Sequence, residues 1–299
     1  MHILGCGCAM PTTRHLPSAQ VINVRGKLSL IDCGEGTQLQ MRRQGISFMK
    51  IRNVFLSHLH GDHCLGLPGL ISTFGMLGRT ADFHVYAPAE YEDMLRRQLD
   101  FFCHGLEFEV VFHAVDTTAH LPIYEDRSVT VWSLPLSHRV PCAGFLFQEK
   151  PLLPHIRRDM IDFYGIPVSQ IASIKNGVDW EAPDGRVIPN ALLTRPADKP
   201  RSYAYCSDTA FQPDLIEYLH GVTLLYHEAT FGKDYEARAK ETLHSTATDA
   251  ARLAKECEAK KLIIGHYSAH YPDETVLLKE AQEVFPNTIG AEEGMVVKL

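Results

Sequence analysis

Apolar and polar positions alternate over short runs through the first third of the chain. That period predicts strands at His2–Gly5, Ala19–Val24 and Leu28–Ile31. A helical stretch over Gly36–Gln44 ends at Gly45, the residue type that most readily takes the left-handed turn closing a helix. Asn53-Val54-Phe55-Leu56 is a compact apolar strand running directly into a cluster of histidines. Over Pro88–Phe102 the spacing becomes helical, with Tyr91, Leu95 and Leu99 on one face and Arg96 and Arg97 away from it. Strand patterns return at Phe108–Phe112, Val129–Leu134 and Gly144–Phe147.

The character changes over residues 149–201, which hold seven of the chain's 17 prolines around one short helical piece, Pro154–Tyr164. Such a stretch predicts an extended insertion outside the core. Beyond it strand and helix patterns alternate through Tyr203–Cys206, Asp214–His220, Thr223–Tyr226, Ala247–Ala259, Leu262–Ile264 and Glu274–Val284. Alternation of this kind implies packed α/β layers. The expected organisation is one α/β catalytic domain over 1–299 with a protruding, flexible arm at 149–201.

Composition narrows the class. With 45% hydrophobic and 22% charged residues in 299, the chain has the balance of a folded protein. No apolar run approaches the roughly 18 residues of a membrane span, and Met1-His2-Ile3-Leu4-Gly5-Cys6 lacks the pattern of a secretory signal. The eight cysteines (6, 8, 33, 64, 103, 142, 206 and 257) form no C-x-x-C pair, which suits reduced, mostly buried thiols. A cytoplasmic protein without membrane attachment is expected. The net charge of −7 runs against a simple nucleic-acid binder.

Histidine is the anomaly, with 16 copies. His58-Leu59-His60-Gly61-Asp62-His63 places four ligand-type side chains in six positions at a strand end. His58 and His60 can point one way while Leu59 turns back to the core, and Asp62 and His63 can serve a neighbouring position. Imidazole and carboxylate without thiolate suit zinc, with manganese or iron less favoured. Partners arrive in equivalent places: His138, Asp208 and His266 each follow a predicted strand. In open α/β sheets, ligands gather beyond the carboxyl ends of strands. Each of the three alone would read as a turn residue; together they complete a two-metal set with Asp208 as the bridge.

His244 precedes Ser245-Thr246-Ala247-Thr248-Asp249, where Thr246 and Asp249 form a capping pair opening the Ala247–Ala259 helix. A histidine there can bond a phosphoryl oxygen or protonate a leaving oxygen, and His227-Glu228 can orient it. Two ions about 3.5–4 Å apart activate water and clamp both oxygens of an in-line displacement. Asp62 would orient or deprotonate that nucleophile. No P-loop and no G-x-S-x-G element offers other chemistry.

These residues resemble the metallo-β-lactamase superfamily, and within it the short form of the tRNase Z (RNase Z) family. The wider match rests on the H-x-H-x-D-H run with His138, Asp208 and His266; the narrower one on Leu30-Ile31-Asp32-Cys33-Gly34-Glu35-Gly36-Thr37-Gln38, Gly66-Leu67-Pro68-Gly69-Leu70, His227-Glu228-Ala229-Thr230-Phe231, His244-Ser245-Thr246 and the arm ending in Asp184-Gly185-Arg186-Val187-Ile188. The resemblance implies a four-layer αββα sandwich, two zinc ions per chain and a homodimer whose arm grips tRNA. It implies one ion on His58, His60, His138 and Asp208, and the other on Asp62, His63, Asp208 and His266. Asp62 would accept the proton and His244 would face the scissile phosphate of precursor tRNA, cut after the discriminator base to leave a 3′-hydroxyl.

Departures from that pattern fall on Gly165-Ile166-Pro167-Val168-Ser169-Gln170 in the arm, on His270, where the family usually has arginine, and on Pro11-Thr12-Thr13-Arg14-His15, one residue short but keeping Arg14 as an RNA contact. The competing reading is a hydrolase of small phosphodiesters or esters, for which a 50-residue arm has no use. A metal-free tRNA-binding scaffold would not keep seven ligands. The acidic average also hides a basic strip: residues 25–52 hold six basic and two acidic side chains.

Overall fold

The computed structural model describes residues 1–299. They divide into two units: Met1–Gln148 with Arg201–Leu299, and Glu149–Pro200.

The first unit is built on two sheets. One has six strands in sequence order, His2–Gly5, Ala19–Val24, Lys27–Ile31, Ile51–Phe55, Phe83–Ala87 and Val110–Ala114. The other has seven, ordered Thr288–Gly290, Leu262–Gly265, Leu224–Glu228, Ser202–Cys206, Cys142–Glu149, Val129–Leu136 and Pro122–Glu125. In the first sheet, neighbouring residues on one strand enter different cores. Ile31, Phe55 and Tyr86 join the apolar interior shared with the second sheet, while Leu30, Val54 and Val85 pack under the helices Thr37–Arg43, Leu67–Met76 and Tyr91–Phe102. Both faces are therefore covered, and both phases of the alternation are apolar. On the outer face of the second sheet, the helices Ala247–Glu256 and Thr275–Val284 pack together. The result is the expected αββα sandwich.

Several elements escape the sequence pattern. The helix Leu67–Met76, where the sequence pattern predicts no element, contains Pro68, Gly69 and Gly75, and proline at its first turn costs no hydrogen bond. The strands Phe83–Ala87, Pro122–Glu125 and Thr288–Gly290 are short and lie at or near sheet edges. The carboxyl ends of the central parallel strands carry the turns that concern function. There Gly66 is required by close approach, because a Cβ would sit 2.3 Å from the Gly34 carbonyl oxygen. The Gly66 N–H donates to the Cys33 carbonyl and the Cys33 N–H to that of His63, at 2.8 and 2.7 Å, so the two loops lie backbone to backbone.

The Glu149–Pro200 unit is not the extended segment its prolines suggest. It contains helices Arg158–Tyr164, Ile171–Lys175 and Asn190–Leu193 and two short ladders, His155–Ile156 with Thr194–Arg195 and Trp180–Glu181 with Val187–Ile188. Ile161, Ile166, Ile174, Trp180, Ile188 and Leu193 form a core of its own. Pro167 and Pro189 precede helical turns, where proline's fixed φ is compatible with order. No helix of the protein is long and apolar enough to cross a membrane.

Candidate metal centre

Four strand ends deliver the predicted side chains to one place. Ile51–Phe55 leads into His58, His60 and the short helix Gly61–Cys64, which carries Asp62 and His63. His138 lies two residues beyond Val129–Leu136, Asp208 two beyond Ser202–Cys206, and His266 directly after Leu262–Gly265. The donor atoms form two sets. In the first, His58 Nε2 and His138 Nε2 lie 3.0 and 3.3 Å from His60 Nδ1, and Asp208 Oδ2 lies 3.5 and 3.7 Å from His58 and His138. In the second, His63 Nε2 and His266 Nε2 are 3.3 Å apart, with Asp62 Oδ2 at 3.4 and 3.6 Å and Asp208 Oδ1 at 3.5 and 3.2 Å. Asp208 thus offers one oxygen to each set.

The fit to metal can be tested on the ring tautomers. Ser57 Oγ donates to Asp32, so it accepts from His58 Nδ1 at 3.0 Å. His63 Nδ1 faces Asp32 Oδ2 at 2.8 Å, and His138 Nδ1 faces the Leu243 carbonyl at 3.1 Å. Thr230 Oγ1 donates to Glu228 Oε2 and accepts from His266 Nδ1 at 2.9 Å. An acceptor behind each of these rings fixes its proton on Nδ1 and turns an Nε2 lone pair inward. Lone pairs facing one another have no hydrogen bond to make. Four ligands about 2.0–2.1 Å from a zinc ion at tetrahedral angles lie about 3.3–3.4 Å apart, the spacing found here. The donor set fits a pair of divalent ions.

Electrostatics agree. Burial pushes His58, His60 and His138 below the ordinary histidine range, towards the neutral form that ligates metal. Burial would also lower His63 and His266, but the negative groups around them together outweigh it and raise both, Asp208 foremost with Asp32 and Asp62 beside His63 and with Cys8 and Asp62 beside His266, a surplus of negative field that a cation satisfies. Burial alone would raise Asp62, yet its bonds to His266 and His63 hold it well below the carboxylate range.

Sequence reasoning did not single out Asp32 as a site residue, though its side chain is a hub. The fully buried carboxylate accepts from the Ser57 N–H and hydroxyl, the Tyr205 hydroxyl at 2.6 Å, and His63. A second hub is Glu228, which accepts from the Thr209 and Thr230 N–H groups, the Thr230 hydroxyl and His244 Nδ1, the last at 2.8 Å. His244 is raised because the Glu228 charge and hydrogen bond outweigh burial, and its ring lies 5.0 Å from that of His138. The Thr246–Asp249 capping box is present. His227 instead bonds the Glu228 carbonyl through Nδ1, and its buried Nε2 meets no partner. The cleft over the metal residues encloses about 360 Å³, with Cys8, Glu35, Leu65 and Arg139 on its walls.

Comparison with known proteins places this geometry. The chain is 56% identical over its 299 residues to ribonuclease Z of Bacteroides fragilis (strain YCH46), covering 100% of this chain and 98% of that one. This chain belongs to the ribonuclease Z family. Ribonuclease Z of Parabacteroides distasonis is 56% identical over 295 residues, covering 99% and 97% of the two chains. Among solved structures, human tRNase Z, short form, superposes with a TM-score of 0.71 at 25% identity, covering 99% and 98%. The metallo-β-lactamase fold protein YhfI of Bacillus subtilis shares the fold with a TM-score of 0.68 at 19% identity, covering 98% and 96%. The family model described as anti-Pycsar protein Apyc1 matches residues 1–138. Arg14, expected to touch RNA, and His270, which departs from the family pattern, both have partners within the chain. Arg14 binds Glu274 at 2.5 Å and the Tyr271 carbonyl at 2.7 Å, and the His270 ring lies 4.4 Å from that of Tyr235.

Proposed function

We propose that this protein is a metal-dependent endoribonuclease that removes the 3′ trailer of precursor tRNA in the cytoplasm. Two zinc ions, with manganese as the alternative, would sit on the two donor sets, and a homodimer would present each 149–201 arm to tRNA bound at the partner's cleft. The observation that carries the chemistry is Asp208, divided between two triads whose inward lone pairs call for cations. The substrate follows from ribonuclease Z relatives matched end to end.

Such ions supply Lewis-acid charge and acidify water at neutral pH. The chain's residues do the rest. Asp208 holds both positions in register. Asp62, kept as an acceptor-only carboxylate, takes the proton of the attacking water. Glu228 occupies His244 Nδ1 and leaves Nε2 to donate to the phosphodiester or to the departing 3′-oxygen, which ends as the tRNA 3′-hydroxyl.

The test is cleavage-site mapping on a labelled precursor tRNA, with and without chelator, alongside a chromogenic small phosphodiester. The expected result is one chelator-sensitive cut after the discriminator base, abolished by His60→Ala. Removal of residues 150–200 should cripple that cut and spare the small substrate. Intact precursor beside rapid turnover of the small phosphodiester would replace this reading with the small-molecule hydrolase.

A further inference from the structure

The loop Gly7–Leu16 reaches the metal centre through its backbone. The Ala9 N–H donates to Asp62 Oδ2 at 2.8 Å, the same oxygen that faces His63 and His266. Ala9 makes that bond from a left-handed backbone with φ of 63°, a conformation that a non-glycine residue adopts only at a cost. Something must hold the loop there. At its root, the Cys8 N–H donates to the Tyr267 carbonyl at 3.0 Å. At its far end one side chain takes two consecutive residues of the loop. Glu293 Oε1 accepts the Leu16 N–H and Oε2 meets His15 Nδ1, each at 2.9 Å, while His15 Nε2 meets Glu274 at 2.8 Å. Glu293 is three residues beyond the strand Thr288–Gly290, which pairs with the strand that leads into His266. It stands at the same end of the sheet as the metal ligands, but its oxygens are spent on the loop.

We propose that Glu293 is a positioning residue for the second donor set: by anchoring His15 and Leu16 it keeps the Ala9 N–H on the metal-facing oxygen of Asp62. The backbone bond fixes which oxygen turns inward and prevents the carboxylate from rotating off the ion. Losing such an outer partner lowers metal affinity by about 10–100-fold. The effect is confined to the second donor set, because His58 and His138 draw their partners from Ser57 and Leu243 and not from this loop. This inference rests on the metal-pair reading of the cluster.

The experiment is competition for zinc between the full-length protein and a chromophoric chelator, with His60→Ala assigning the release steps. In Glu293→Ala the ion of the second set should leave at about tenfold lower chelator or less, with the first set unchanged, and kcat should fall while KM holds. In Glu293→Gln the amide oxygen can still accept the Leu16 N–H, so the second ion should be partly restored. That variant also serves if the alanine chain does not fold. Equal weakening of both ions, or no change in either, would overturn the role of Glu293. A wild-type protein that takes up no zinc would instead overturn the metal reading beneath it.

Discussion

Replacing Asp32 by asparagine isolates what a buried carboxylate does behind a metal ligand. Asp32 has φ of 54°, and asparagine is among the few residues that tolerate this left-handed region, so the backbone is not the variable. The carboxylate is surrounded by donors, and two of them cannot turn away: the Ser57 N–H on Oδ1 at 2.7 Å and His63 Nδ1 on Oδ2 at 2.8 Å. An amide placed here sets its NH2 against one or the other, whichever way it is rotated. If it faces Ser57, a buried backbone donor is lost, at about 1–3 kcal/mol. If it faces His63, the ring must move its proton to Nε2, the nitrogen required for the ion. Either outcome leaves His63 Nδ1 without a charged partner, and the expected loss of affinity at the second donor set is about 10–100-fold. Denaturant unfolding of the chelated protein reads the first cost, and zinc competition reads the second. A variant within about 0.5 kcal/mol of wild-type stability that also binds both ions with wild-type affinity would refute the argument, because it would mean Asp32 carries no obligatory acceptor role.

Glu228→Gln, assayed with zinc at saturation, should lower kcat on precursor tRNA by about 100-fold, because His244 loses the charge that keeps it raised; unchanged kcat with bound zinc would show that His244 does not donate. Gly66→Ala places a methyl group 2.3 Å from the Gly34 carbonyl oxygen and should cost about 1–3 kcal/mol in denaturant unfolding, whereas an exposed glycine such as Gly78 replaced likewise should leave the two loops in contact. The His15 cluster gives a pH dependence with a definite sign. His15 is raised by its Glu293 hydrogen bond against the effect of burial, so its stabilisation is complete below its ordinary value of 6.5 and is lost as pH rises through the folded value. Burial would raise Glu293, but its hydrogen bond to His15 lowers it, so its contribution is present above 4.5 and is lost as pH falls. The stability gap between wild type and His15→Gln, measured without metal, should be widest between those values and shrink on either side; a gap that keeps growing as pH rises beyond 6.5 would contradict the assignment.

Much of the centre was legible because each ligand follows a strand whose apolar run is readable, and strand ends on one side of a sheet converge whatever the loops do. What was not legible were the partners behind the ligands. Asp32 stands in a glycine-flanked turn like any other, and only packing brings it beneath His63, 31 residues away, and beside Tyr205, 173 away. His227 shows the opposite failure. Adjacency to Glu228 suggests a shared task, yet consecutive strand residues point to opposite faces, so only Glu228 reaches His244. The helix Leu67–Met76 was hidden by its own glycines, Gly69 and Gly75, which face the side chains of Gln38 and Leu106 and do not turn the chain.

The same distinction governs charge. In the sequence, residues 25–52 form a basic strip that could attract a polyanion, but in the fold those cations are not one free surface. Lys27 is paired with Asp126 at 2.6 Å, and the Arg42 guanidinium lies 4.9 Å over the Phe48 ring. Around the cleft, Arg139 is the one basic side chain on the wall other than histidine, and Glu35 stands with it. With the proposed ion pair in place, attraction of an RNA phosphate into this cleft would come from the ions themselves: two divalent cations would outweigh the charges of Asp62 and Asp208. The acidic average of the chain and an anionic substrate are compatible for that reason. Removing the metal would turn the cleft from an anion trap into an acidic pocket, so substrate binding in the cleft and catalysis fail together.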